Sequence, residues 1–295
     1  MSLPKAGWPS VQPSVWKDAL KAGKSFFRNC RRDSRVALPA LRLMVIFLLA
    51  GIVWETARAG DELADTVEKI KPSIVGIGTY QRTRTPAVEF RGTGFIVGDG
   101  QHVLTNVHVL PTTLDAKNME TLAVFAREAG KETLRPAQVI EEDGQHDVAL
   151  LKMAGNPLPA MSIGNSDKVR EGETYAFTGY PIGVVLGLHP ATHRGMISAI
   201  TPSAIPMQRA GQLSTAVIDR LQDPYDVFQL DGTAYPGNSG SPLYNPTTGV
   251  VIAVINKVFV QETKETLLSK PSGISYAIPI RYAENLLKKA QRKAN

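Results

Sequence analysis

Hydrophobic spacing along the chain changes period twice. Between Asp61 and Lys71, residues Leu63, Val67 and Ile70 recur at helical intervals, with acids early, lysines late and Pro72 just beyond. That pattern predicts a short amphipathic helix whose charges suit its dipole. From Ser73 the pattern shortens to β-rich runs separated by turn residues, at 73–80, 92–97, 102–105, 121–126, 137–142 and 148–153. A second set covers 174–179, 195–200, 226–230, 241–243, 250–260 and 274–278. Many short strands with Gly and Asn-Pro turns predict an antiparallel sandwich or barrel, not βαβ units. The two sets flank a polar stretch, Gly164–Gly172, so two similar all-β halves are the economical arrangement. Helical spacing returns from Arg281 to Arg292, with Tyr282, Leu286, Leu287 and Ala290 on one face.

Composition adds a compartment. Of the 295 residues 43% are hydrophobic, enough for a sizeable core, and the single cysteine, Cys30, allows no intramolecular disulfide. The net charge of +6 is uneven: residues 1–42 carry +7 and the remainder −1. A near-neutral body excludes a nucleic-acid footprint. Leu43 to Trp54 holds no charge; it is short for a membrane span of ~20 residues but suits the apolar region of a secretory signal. Ala57-Arg58-Ala59 offers a small-x-small cleavage site before Gly60. Starting instead at Val36, with Arg42 snorkelling, gives a marginal span. Either way the basic tail stays cytoplasmic and the rest is exported. Residues 1–59 are therefore expected as a tail plus signal peptide or membrane anchor, and 60–295 as the exported domain.

Chemistry concentrates in the run from Leu230 to Leu243. Ser239 stands between Asn238 and Gly240, with Gly237, Pro236 and Pro242 close by, so the run is a tight turn and not a helix. A hydroxyl beside outward-pointing N–H groups is what acyl transfer needs, although alone the run reads as a plain surface turn. His108 follows a β-rich strand among apolar neighbours, where a buried, satisfied histidine is the ordinary reading. Asp147 opens a strongly apolar strand and would be costly to bury without donors; alone it reads as a solvated turn residue. Together they form a set: His108, Asp147 and Ser239 each lie at the edge of a β-run, the first two in one half and Ser239 in the other. A cleft between the halves would unite base, orienting acid and nucleophile.

Competing chemistries fit less well. The glycines of 92–100 precede no helix and no GK[ST], which argues against a nucleotide site. His189 and His193 have His-x₃-His spacing, but Pro190 disfavours a ligand helix, so no metal is expected. Pro242 and β-rich sequence after Ser239 differ from the helix that follows an α/β-hydrolase nucleophile.

Thr93-Gly94-Phe95-Ile96-Val97, Leu104-Thr105-Asn106-Val107-His108-Val109, Asp147-Val148-Ala149-Leu150-Leu151-Lys152 and Pro236-Gly237-Asn238-Ser239-Gly240 resemble the trypsin-like serine proteases, closest to the bacterial HtrA (Deg) branch, over roughly residues 64–285. The resemblance implies an all-β, chymotrypsin-like fold of two antiparallel barrels, about 73–160 and 170–280, with the C-terminal helix. It implies peptide-bond hydrolysis through an acyl-enzyme, with polypeptide substrates, no cofactor, and oligomerisation left open. His108, Asp147 and Ser239 land on the triad, and the N–H groups of Gly237 and Ser239 on the oxyanion hole. Three departures stand out. Ser241 replaces a customary glycine, no PDZ domain is expected before Asn295, and 204–224 is longer than usual, as a lid or regulatory loop would be. Asn238 replaces the acid that digestive relatives pair with a freed N-terminus, which argues against zymogen activation of that kind.

For specificity, Thr233 occupies the expected floor of the primary pocket, with Ala234 and Tyr235 beside it, and Val254, Ile255 and Asn256 resemble the strand that pairs with substrate. Nothing charged is near in sequence, so small or medium aliphatic P1 residues are expected, with Lys257 favouring acidic neighbours. The non-enzymatic alternative is a catalytically silent binding or chaperone module on the same fold.

Overall fold

The computed structural model describes residues 61–128, 130–181, 189–203, 224–256 and 274–294. The chain divides into two compact units, residues 1–61 and 62–295. The basic tail, the run Leu43–Trp54 and the cleavage motif lie outside the described residues, as do 204–223 and Lys257. Among the described residues no helix is long and apolar enough to cross a membrane.

In the second unit the strands close into two antiparallel barrels. Barrel 1 takes β1 (Ile74–Tyr80), β2 (Val88–Val97), β3 (His102–Thr105), β4 (Thr121–Glu128), β5 (Lys131–Asp143) and β6 (Val148–Met153) in the order β1-β2-β3-β6-β5-β4. Barrel 2 takes β7 (Thr174–Gly179), β8 (Ala191–Pro202), β9 (Asp226–Leu230), β10 (Pro242–Tyr244), β11 (Val251–Asn256) and β12 (Ser275–Pro279) in the order β10-β11-β12-β9-β8-β7. Helix α1 (Asp61–Ile70) leads into barrel 1, and α2 (Arg281–Ala294) follows barrel 2. This is the chymotrypsin-like architecture, with the C-terminal helix the periodicity predicts.

Three apolar clusters explain why the strands read as continuous hydrophobic runs. Successive side chains of a strand point to opposite faces. In β6, Leu151 and Met153 fill barrel 1 with Ile77, Val103 and Val124, whereas Val148 and Leu150 face the seam between the barrels. There they meet Phe95, Tyr244, Val254 and Ile278, and the α2 residues Ala283 and Leu286. In β7, Tyr175 and Phe177 enter the core of barrel 2 while Ala176 faces the seam. Strands covered on both faces lose the polar alternation of a half-solvated sheet. Each fully buried Leu, Ile, Val or Phe contributes about 1.5–3 kcal/mol, so the seam is as strongly driven as either barrel interior.

Three strands begin earlier than their hydrophobic pattern. β2 starts at Val88, β5 at Lys131 and β8 at Ala191, because few of their first side chains are fully buried while their backbones already pair with β1, β4 and β7.

Candidate active site

The loop that carries Ser239 is two consecutive turns. The N–H of Asn238 donates to Tyr235 O (3.0 Å), and that of Ser241 to Asn238 O (3.0 Å). The third residue of each turn is a glycine at positive φ, Gly237 at +97° and Gly240 at +85°, and Pro236 occupies the second position of the first turn. That is the type II signature, and it sets Ser239 at the second position of the second turn. Both barrels hold the loop. From β2, Thr93 N–H donates to Ser239 O (2.9 Å) and Thr93 Oγ1 to Gly237 O (2.7 Å). From β11, Ile255 O accepts Gly240 N–H (2.9 Å), and Ile255 N–H donates to Ser241 O (2.8 Å). The N–H groups of Gly237 and Ser239 donate to nothing among the described residues.

His108 rides on a single 3₁₀ turn, Val107–Val109, directly after β3. Asp147 ends the β5–β6 turn at φ +53°, a left-handed conformation that aspartate tolerates better than most residues. Its carboxylate is fully engaged. Oδ1 accepts the His108 backbone N–H (2.9 Å), while Oδ2 accepts His108 Nδ1 (2.6 Å) and Asn256 Nδ2 (2.7 Å). Asn106 Nδ2 donates to Asp147 O (2.8 Å), fixing the backbone beneath. Because an ionised carboxylate only accepts, Nδ1 carries the proton and Nε2 is left as an acceptor. The His108 side chain keeps 29% of its surface exposed and that of Asp147 only 9%, so the imidazole is reachable and the carboxylate is shielded.

A Cβ placed on Gly92 would meet the Val109 side chain at 2.7 Å and Ser239 O at 3.1 Å, so the residue after His108 and the serine flank one backbone position. Among the described residues Ser239 Oγ makes no hydrogen bond to His108.

The remaining sequence-predicted residues fall in two places. Thr233, Ala234 and Tyr235 lead into the nucleophile turn; Ala234 is buried with its N–H on Ser275 Oγ (2.6 Å), and Thr233 and Tyr235 are half-buried. Val254 and Ile255 are fully buried, their side chains in the seam and in barrel 2 respectively. Asn256 is also fully buried, with its amide on Asp147, so these three side chains brace the site from behind. Ser241 Oγ is buried without a partner against Gly179, where a Cβ would overlap the hydroxyl.

Sequence reasoning missed four supporting residues. Thr93 and Asn106 stand inside the quoted motifs, and a buried polar residue in an apolar run is the signal that could have found them. The Asn256–Asp147 contact joins residues 109 apart across the seam, which no local pattern reveals. His146 is the fourth. Its Nδ1 pairs with Asp143 Oδ2 (2.7 Å), and its ring meets Tyr225 edge-on (4.5 Å) and lies against Tyr282 of α2. The turn that carries Asp147 is thereby packed against barrel 2 and the C-terminal helix at once.

Two six-stranded barrels with a histidine–aspartate pair and a type II serine turn meeting at their seam define the class: residues 92–254 match the trypsin-like peptidase domain, and the chain belongs to that family. It is 30% identical over 223 residues to serine protease HTRA1 of Xenopus laevis, covering 74% of this chain and 40% of that protein. A probable periplasmic serine endoprotease, DegP-like, of Pseudomonas putida is 33% identical over 202 residues, covering 67% of this chain and 35% of that one. Among solved structures, the HtrA-type protease AlgW with tripeptide superposes with a TM-score of 0.54 at 26% identity, covering 77% of this chain and 62% of that chain. The chain thus spans about two-fifths of the length of the curated relatives it matches.

Proposed function

We propose that this protein is a serine endopeptidase that cleaves polypeptides, through an acyl-enzyme, on the exported side of the membrane. His108 Nε2 takes the proton of Ser239 Oγ as the oxygen attacks the scissile carbonyl, and later returns it to the leaving amine. Asp147 holds the proton-bearing Nδ1 and offsets the charge on the imidazolium. The free N–H groups of Gly237 and Ser239 receive the developing oxyanion. Hydrogen bonds between nucleophile and base are often long in a resting site and tighten with substrate, which accommodates the unpaired Oγ.

One observation carries this reading: the Asp147 carboxylate binds both the backbone N–H and Nδ1 of the same histidine, fixing tautomer and ring plane together. The exported location rests on the basic tail and apolar run at the N-terminus and on the periplasmic name of the DegP-like relative. The direct experiment is labelling of purified protein with a fluorophosphonate probe, with casein hydrolysis alongside. Ser239→Ala is expected to abolish labelling and to lower kcat by about 10⁴–10⁶. Undiminished hydrolysis by that variant would end the assignment and leave the silent binding module as the better description.

A further inference from the structure

Resting on the serine-peptidase reading, we propose that His193 sets the primary specificity of the site, selecting substrates whose P1 side chain ends in a carboxamide. The sequence suggested only a metal role for this residue, through its spacing from His189, and the triad chemistry does not use it.

The fold carries His193 to the nucleophile loop. Along β8 the burial alternates, with Gly195 and Ile197 buried and Arg194, Met196 and Ser198 exposed, so His193 faces the interior of barrel 2. There its ring stacks on Phe177, its cross-strand partner, with centroids 5.0 Å apart and planes at 20°. The segment that leads into the nucleophile turn runs beside the same strand. Met196 N–H donates to Asp231 Oδ1 (2.6 Å), and Asp231 N–H to Met196 O (3.2 Å). A Cβ on Gly232 would lie 3.0 Å from Arg194 O, and the ring of Tyr235 is 6.1 Å from that of His193. From Asp231 to Tyr235 the chain therefore passes β8 step by step, drawing level with His193 just before Ser239. Thr233 to Tyr235 is also the segment to which the family resemblance assigns the primary pocket.

The ring is half-buried, yet Nε2 is fully shielded and has no hydrogen-bond partner among the described residues. An unpaired buried nitrogen costs stability, and native structures keep few of them without a use. Burial alone pushes this imidazole below its ordinary pKa, so it stays neutral. A neutral imidazole has one donor and one acceptor nitrogen, and a carboxamide offers both roles, so it can pair with Nε2 in either tautomer. An apolar P1 of equal size would leave Nε2 unpaired, the situation in which a polar pocket discriminates most strongly. On this proposal a carboxamide takes the place of the aliphatic P1 side chain expected from the bare sequence.

The test uses two peptides that differ only at P1, glutamine against the near-isosteric methionine, with the full chain as enzyme. The expected result is a kcat/KM for glutamine at least about ten-fold above that for methionine. His193→Phe keeps an aromatic ring against Phe177 and removes the nitrogen; it should bring the ratio to one or below, with thermal unfolding reporting whether the variant folds. A wild-type ratio of one or less, or a ratio unchanged in His193→Phe, would overturn the proposal. Should His193→Phe fail to fold, calorimetric binding of both peptides to the Ser239→Ala protein decides: about ten-fold tighter binding of the glutamine peptide supports the role, and equal affinities refute it. Failure of the wild-type chain to label or cleave would instead count against the peptidase reading, because the calorimetric comparison reads His193 without turnover.

Discussion

The imidazole of His146 lies flat against the phenol ring of Tyr282, their centroids 4.0 Å apart and their planes 15° from parallel. His146 directly precedes Asp147, and Tyr282 belongs to the first turn of the C-terminal helix. Tyr225, at the entry to β9, meets both rings edge-on, at 4.5 and 5.3 Å. One aromatic cluster thus joins the turn that bears the acid to two elements from the far end of the chain.

Tyr282→Ala removes the flat partner and opens a gap beside that turn. A loss of about 2–4 kcal/mol in unfolding free energy is expected, the range for a large-to-small change at a partly buried aromatic. Because Asp147 is held in a left-handed conformation, kcat should fall with KM little changed. Tyr282→Phe, which keeps the stack and loses only the hydroxyl contact with Arg281 (3.2 Å), should restore most of both. Urea unfolding and steady-state kinetics on the two variants check this.

Asn256 supplies a donor to the Asp147 carboxylate from the opposite barrel. A hydrogen bond to a charged group is worth about 1.5–3 kcal/mol, so Asn256→Ala should lower kcat by about ten- to a hundred-fold. Asn256→Asp should be worse, since it sets a second carboxylate against a shielded one. Kinetics paired with thermal unfolding would separate loss of orientation from loss of fold; full activity in Asn256→Asp would contradict the geometry.

Gly240 and Gly130 make a matched pair. Both have positive φ, +85° and +80°, but a Cβ on Gly240 would overlap Thr93 O, while one on Gly130 meets nothing within 4 Å. Alanine at 130 should cost about 1–2 kcal/mol of backbone strain alone. At 240 the collision adds to that strain, so Gly240→Ala should be markedly less stable and should not label with the probe. Equal melting temperatures for the two variants would show that the seam can yield at Thr93.

Burial holds the folded-state pKa of His193 below its ordinary value, so the unfolded chain binds the proton more readily. Stability should therefore fall as pH drops through about 6.5, where an unperturbed histidine takes up its proton. His193→Phe should show a shallower decline between pH 7 and 5 than the wild type. Parallel Tm–pH curves for the two proteins would contradict a buried neutral imidazole.

Much of the architecture was legible because β-rich runs and turn residues alternate regularly, and because Pro236-Gly237 and Ser239-Gly240 carry the sequence of type II turns. Strand starts were less legible at β2, β5 and β8, where Val88 to Arg91, Lys131 to Pro136 and Ala191 to Arg194 pair largely through the backbone while few of their side chains are fully buried. The histidine, aspartate and serine of the site stand beside apolar runs and are conspicuous. Their supports were not, since Asn256 and Tyr282 act through contacts that exist only once distant strands and the last helix have come together.

Thr93 fastens the carbonyls of Gly237 and Ser239, and both groups lie in the shell opposite its own. During synthesis the first barrel emerges with its histidine and aspartate but with no serine to serve, and the second cannot set its donors until Thr93 reaches them. On the proposed peptidase reading, hydrolytic competence therefore waits until the late half closes onto the early one.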